Sequence, residues 1–335
     1  MSDTVLLAHG SGGLMARELL EDVFLRHLSD GELKALEDAA VLAPPEGRLA
    51  MTTDSYVVQP LFFPGGDIGK LAVCGTVNDL AMRGARPLYL SVGFILEEGL
   101  AISELERVVV SMATTAHQVG VRIVAGDTKV VGRGGADRMF INTAGVGIVP
   151  EGINISAHHA RPGDRVLVSG AMGDHGLAIM TQRHGLRFES PIRSDCAPLA
   201  GLVEAMLATC PDVHVLRDPT RGGLAAVLNE IADQSQVGIA IDEEAITVHE
   251  PVAAACELLG LDPLYAANEG KLVAIAPTES AATLLDVMLA HPLGAEAAII
   301  GEVSSSHAGS VVLRTAFGTQ RLLDMPAGEL LPRIC

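Results

Sequence analysis

The chain has no tryptophan and little positive charge. Its 335 residues carry 23 Lys and Arg against 41 Asp and Glu, a net charge of −18 with His neutral. Such a chain repels phosphate backbones and anionic lipid, so neither nucleic acid nor a membrane surface is an expected partner. It has no CxxC pair. The five cysteines, Cys74, Cys196, Cys210, Cys256 and Cys335, are odd in number and scattered. That excludes a disulfide framework and a tetrahedral zinc site, and it fits a reducing cytoplasm. No stretch of about 18 apolar residues occurs, so no membrane span is expected. The opening MSDTVLLAHGSGG has no basic segment and too short an apolar run for a secretory signal. Short repeats and low-complexity segments are also missing.

What is present is 49% hydrophobic residues and 36 glycines. This describes a well-packed globular chain, long enough for about two domains. Helical apolar spacing marks residues 19–28, 68–82, 177–183, 196–208, 224–233 and 280–289. Ser103 stands as an N-cap for a helix reaching residue 117, with Glu106 placed for a capping box. Strand patterns mark 49–53, 87–96, 121–125, 139–149, 164–169, 237–241, 272–276, 297–300 and 310–313. This mixture gives an α/β or α+β fold in both halves. The polar break 150–162 divides domains 1–150 and 151–324, and residues 325–335 read as an extended tail without packing.

Four aspartates stand at turns or element ends in the first half: Asp38, Asp54, Asp79 and Asp127. Carboxylates on one rim of a sheet can hold Mg2+ and, through it, a polyphosphate. Each alone reads equally as a solvated turn residue. His9-Gly10-Ser11-Gly12-Gly13 precedes a helical run, and its amides could cradle phosphate. It is neither a Walker A motif nor GxGxxG, and it also reads as a flexible turn. Lys129, one of four lysines, lies two residues after Asp127 and shares its side if the segment is extended. There it would steady a transferring phosphoryl group. In the second half Asp218-Pro219-Thr220-Arg221-Gly222-Gly223 precedes a helix that Thr220 could cap. Glu269, in Asn268-Glu269-Gly270-Lys271, is a candidate general base if desolvated. Both segments also read as ordinary turns. Cys335 closes the chain on a tail that could carry a group on sulfur into a pocket. The other four cysteines sit in apolar or helical contexts and read as core.

HGSGG, EDAAVL, TTDSYVVQPLFFPGGDIGKLAVCGTVNDLAMRGA, GDTKVV, RDPTRGGLA, NEGKL and the terminal PRIC occur in that order. Together they resemble the HypE family of carbamoyl dehydratases in hydrogenase maturation. That family belongs to the AIR synthase-like (PurM-like) ATP-binding superfamily. The resemblance spans essentially the whole chain, and the terminal PRIC separates it from relatives that phosphorylate free small molecules.

The resemblance implies a two-domain PurM-like subunit whose N-terminal sheet forms a homodimer interface. It implies ATP and Mg2+ as cofactors and a reaction in which S-carbamoyl Cys335 is dehydrated to a thiocyanate. Asp38, Asp54, Asp79, Asp127 and Asp218 would hold metal, and Lys129 and Glu269 would act with Cys335 in catalysis. His9, Gly10, Ser11, Gly12, Gly13, Asn78, Asp127, Thr220, Arg221, Gly222 and Gly223 would bind nucleotide. The carbamoyltransferase HypF would load the thiol, and a HypC–HypD scaffold would accept cyanide for a [NiFe] hydrogenase. The rival readings are a kinase for a free small molecule and a non-catalytic carrier of the group.

Overall fold

A computed structural model describes all residues except 1–2, 12, 29–30, 35, 37–38, 44–45, 187–191, 327, 329–330 and 332–333. The first half runs α1 (Gly13–Leu19), a π-helical segment (Leu20–Leu25), α2 (Gly31–Lys34), β1 (Arg48–Tyr56), β2 (Phe62–Phe63), β3 (Gly66–Asp67), α3 (Ile68–Ala81), β4 (Arg86–Glu97), α4 (Ile102–Val119), β5 (Arg122–Val131) and β6 (Met139–Val149). The second runs β7 (Arg165–Val168), α5 (Asp174–Arg183), α6 (Ala200–Thr209), β8 (Val215–Arg217), α7 (Gly223–Ser235), β9 (Gly238–Asp242), α8 (Glu250–Leu259), β10 (Val273–Ala276), α9 (Thr278–Ala290), β11 (Ala298–Ser304), β12 (Val311–Arg314) and β13 (Gln320–Leu322).

The first-half strands form a four-stranded sheet in the order β1-β6-β4-β5. β4 and β5 are parallel, joined by a crossover through α4, and the other pairs are antiparallel. Both edges, β1 and β5, lack a neighbour in the sheet. Strand β1 alternates in and out. Its outward side leaves Leu49 and Met51 64% and 77% exposed, with Ile95 of β4 at 42%. The second half builds a seven-stranded mixed sheet, β13-β12-β9-β11-β7-β10-β8.

Helix α3 is buried on nearly every side, because it packs against β1 and β6, against α4, and against α6 of the second half. Asp67 caps its start by accepting from the amides of Gly69 and Lys70. Leu71 and Val77 are fully buried in it, and truncating Leu71 to Ala would cost about 2–5 kcal/mol. Among the described residues no helix is long and apolar enough to cross a membrane.

The structure corrects several sequence expectations. Helix α4 starts at Ile102 after Ala101, so Ser103 lies inside the first turn and no side chain caps the end. Cys196 sits in a loop, and the helix expected from it starts at Ala200. Helix α8 and strands β8 and β13 were not foreseen. The end of the chain is packed: Leu331 is 9% and Ile334 3% exposed, both within an apolar cluster that both halves share.

Candidate active site

The C-terminal half of α3 carries three polar side chains, Thr76 turned to the first-half sheet and Asn78 to the second half, with Asp79 beside them. Thr76 joins Tyr56 and Thr143 in a buried hydroxyl network. Asn78, 1% exposed, accepts from the Leu199 amide at 2.7 Å and donates to the carbonyls of Ala197 and Glu269. Its amide is thereby committed to holding the second half against α3. This corrects its reading as a nucleotide ligand. Asp79 accepts from Thr52 Oγ1 at 2.7 Å. Burial pushes its carboxyl up; Asp54 adds to this, and Arg217 and Arg221 oppose it.

Two further acids close the same region. Asp218, just after β8, is pushed up to about 7 by burial and by the charge of Asp79. Glu269 is 3% exposed, and no ion pair to it is found among the described residues. Burial drives it well above the usual carboxylate range, with Cys196, Asp218, Asp195 and Asp54 adding to the effect. Its backbone is fixed by Asp195, whose Oδ1 accepts from the Glu269 amide at 3.0 Å. A cleft of about 560 Å³ opens beside these acids, lined by Thr52, Asp79, Arg83, Asp218, Thr220 and Arg221.

Cys335 lies in this neighbourhood. Burial pushes its thiol up to about 12, Glu269 and Asp54 add to the shift, and Arg221 opposes it. A main-chain carboxylate oxygen of Cys335 accepts from the Val57 amide at 3.0 Å. Docked in this way the sulfur is a protonated thiol at neutral pH and a poor nucleophile. The Arg221-Gly222-Gly223 turn borders it. Gly222 and Gly223 both have positive φ, 77° and 63°. A Cβ on Gly223 would come within 2.6 Å of the Leu264 and Ala266 carbonyl oxygens. Gly222 is the N-cap of α7 and no side chain caps it, so Thr220 lines the cleft and does not cap the helix.

A second group forms elsewhere on the first-half sheet. Lys129 Nζ is 2.7 Å and 2.8 Å from the two carboxylate oxygens of Asp127. Both side chains are about two-thirds exposed, at 65% and 68%. That bond holds Asp127 below the usual range. The glycine-rich loop lies against the same strand. A Cβ on Gly10 would meet the Val130 backbone nitrogen at 2.8 Å. His9 is buried and Nδ1 accepts from the Leu6 amide, so the ring proton is on Nε2. Nε2 is buried with no partner. His9, Gly10, Asp127 and Lys129 share a groove of about 490 Å³ with the apolar Leu20 and Phe24. Ser11 donates to the Leu7 carbonyl, and Gly13 begins α1. Gly12 and Asp38 lie outside the described residues.

Strand order keeps the two groups apart within one chain. Asp54 is level with Thr143, Thr143 with Val92, and Val92 with Gly126, next to Asp127. Asp54 and Asp127 are therefore three strand spacings apart, about 14 Å. Magnesium–oxygen bonds are about 2 Å, so no single ion can take both aspartates from one chain. Among the described residues no cluster of three or more His, Cys, Asp or Glu is assembled to hold a metal ion. Arg83, His175, Ser194, Asp195 and Arg217 were not singled out in the sequence. Each acts across more than a dozen residues, and no local pattern marks such contacts.

Residues 36–149 match the family model for the N-terminal domain of AIR synthase related proteins, and 161–314 the model for the C-terminal domain. The chain is 56% identical over 332 residues to carbamoyl dehydratase HypE of Azotobacter vinelandii, covering 99% of this chain and 97% of that one. A crystal structure of hydrogenase maturation protein HypE in complex with ATP superposes with a TM-score of 0.96 at 55% identity, covering 99% of this chain and 100% of that one. HypE in a HypE–HypF complex superposes with a TM-score of 0.81 at 52% identity, covering 92% and 99%.

Proposed function

The chain belongs to the HypE family of AIR synthase-related carbamoyl dehydratases, and on that premise we propose that it uses ATP to dehydrate a carbamoyl group carried on Cys335. The observation that carries this reading is the docked tail, held by the Val57 amide and by His175, with the sulfur near enough to Glu269 for that carboxylate to raise the thiol's proton affinity. A free substrate would need no tethered thiol.

The substrate is R–S–C(=O)–NH2. Its oxygen is a poor leaving group, and phosphorylation makes it a good one. As the amide nitrogen gives up one proton, the carbonyl oxygen attacks the γ-phosphorus of ATP, and the bond to ADP breaks. As the nitrogen gives up its second proton, the C–O bond breaks, phosphate leaves with the oxygen, and C≡N forms on sulfur. Glu269 is the base we assign to the first nitrogen proton, and the departing phosphate takes the second. The elevated proton affinity of Glu269 suits it to take a weakly acidic N–H proton. Arg221 offsets charge at the sulfur end.

The groove of His9, Gly10, Asp127 and Lys129 suits a nucleotide. It offers an unpartnered N–H donor at His9 Nε2, a lysine and an apolar wall. We assign Lys129 to the γ-phosphate. Asp54, Asp79 and Asp218 would hold Mg2+, since Asp54 raises the proton affinity of Asp79, and both raise that of Asp218, in a space that a cation would neutralise. When bound, the ion supplies charge neutralisation on the triphosphate. Asp127 would join it from another chain.

A homodimer explains how. We place the domain division after residue 150, with 325–335 as a mobile arm. The exposed Leu49, Met51 and Ile95 give the first domain an apolar sheet face. Closing two such sheets about a two-fold axis sets the β5 edge of one copy beside the β1 edge of the other. The partner's Asp127 and Lys129 then approach Asp54 and Cys335. HypF would load the thiol after the arm leaves its pocket, because the docked thiol is not nucleophilic. A HypC–HypD complex would accept the cyano group.

Mass spectrometry of the carbamoylated chain before and after Mg-ATP tests the reading. Loss of one water from the Cys335 peptide is expected. An unchanged carbamoyl mass in a chain that binds ATP would reduce the protein to a carrier.

A further inference from the structure

We infer that His175 is the positioning residue that latches the tail and sets the register of Cys335 for dehydration. The inference rests on the reaction proposed above. It is carried by contacts to the residue before Cys335. His175, the second residue of α5, is fully buried. Its Nε2 lies 2.7 Å from the carbonyl of Ile334, the residue before Cys335. Its Nδ1 lies 2.8 Å from Ser194 Oγ.

The proton positions follow from the partners. A carbonyl only accepts, so Nε2 carries the hydrogen and donates to Ile334. Ser194 Oγ accepts from the Cys196 amide at 3.0 Å, which leaves its hydroxyl hydrogen for Nδ1. Every group in the chain from Cys196 through Ser194 and His175 to Ile334 thus has one role, and the imidazole is neutral. Phe63 stands edge-on to the ring, with centroids 5.6 Å apart. The Ser194 amide donates to the Pro64 carbonyl at 2.7 Å. The frame that aims His175 is therefore built from both halves of the protein.

The last peptide of the tail is held at two points. His175 donates to the Ile334 carbonyl and the Val57 amide donates to a main-chain carboxylate oxygen of Cys335. Two bonds on adjacent residues fix both the depth and the rotation of the final residue, and so the direction in which sulfur presents its group. Two single hydrogen bonds are also few enough to release, as a tail that must be loaded elsewhere requires. His175 touches neither the carbamoyl group nor nucleotide. It acts through the backbone of Ile334.

The test uses full-length protein in two arms. In the first, alkylation of Cys335 by iodoacetamide is timed on the unloaded chain without ATP. His175→Ala is expected to speed it at least about tenfold, the effect of losing one such bond. Cys74 and Cys196 should stay protected. In the second, carbamoylated chains are followed through a single turnover. His175→Ala should lower the dehydration rate about 10- to 100-fold with ATP affinity unchanged, and His175→Gln, which can still donate, should recover part of it. Alkylation and dehydration both within twofold of the unmodified chain would overturn the latch. Should His175→Ala not fold, Ser194→Ala decides: a rise in Cys335 alkylation of about threefold or more supports the latch, and no rise overturns it. Failure of the unmodified chain to dehydrate would sink the proposed reaction while the alkylation arm still judged the latch.

Discussion

Glu269 and Asp127 are both acids of the candidate site, and their environments move them in opposite directions. Glu269 is buried among other acids and holds its proton far more tightly than a free carboxylate. Asp127 is exposed, bonded to Lys129, and holds its proton more loosely. The acids Glu269 and Asp218 and the thiol of Cys335 thus come together within one chain, and their burial costs stability through desolvation. The region around Asp127 and Lys129 is open and has no such cost. On the proposed dimer, one subunit builds the first part and the second part is completed across the interface.

Substitutions in the two regions should therefore behave differently. Cys335→Ala has the largest expected effect. It removes carbamoyl loading and thiocyanate altogether while nucleotide binding, followed by calorimetry, persists. Glu269→Gln should lower the dehydration rate about 10²- to 10⁴-fold. In the unmodified chain the rate should fall with decreasing pH through a value above the ordinary carboxylate range, because Glu269 must be ionised to accept a proton. Stability has the opposite sense. Between the unfolded and the raised folded value the native state binds more protons, so stability declines as pH rises. Glu269→Gln should remove that slope, so its melting temperature should gain on the unmodified chain from pH 5 to pH 8. A gain that does not grow with pH would contradict the assignment.

In the open region, Lys129→Ala should cost about 10²-fold in rate and less than about 0.5 kcal/mol in stability, read from the same melting curves. Met51→Glu should weaken self-association in sedimentation runs and leave the fold intact, since Met51 is exposed on one chain. Asn78→Ala is the counter-case. It should cost at least about 2 kcal/mol by stranding buried partners at the junction, with any loss of rate following from loosened domains.

Much of the fold was legible. The alternation of β1 and the apolar runs of β4, β6 and β10 mark strands directly. What escaped was long-range. Thr220 has the chemistry of a cap, but two glycines with positive φ shape the turn so that Gly222 takes that place. The tail looked unpacked because its residues find partners far along the chain, Gly176 against Leu331 and His175 on Ile334. The aspartates were visible one by one, yet their division into two groups depends on strand order, which no local pattern encodes. His175 sat in a glycine-bracketed turn, with nothing nearby to show that it faces Ile334.

Mixing two inactive chains tests the central claim most directly. Lys129→Ala and Glu269→Ala proteins are each purified, carbamoylated, mixed equally under conditions that exchange subunits, and given Mg-ATP. If Lys129 of one chain serves Glu269 and Cys335 of the other, half the dimers are mixed and each has one intact site, so about a quarter of the normal thiocyanate rate returns. If the mixture stays as inactive as its parts although subunits have exchanged, each site is built within one chain, and the division drawn here is wrong.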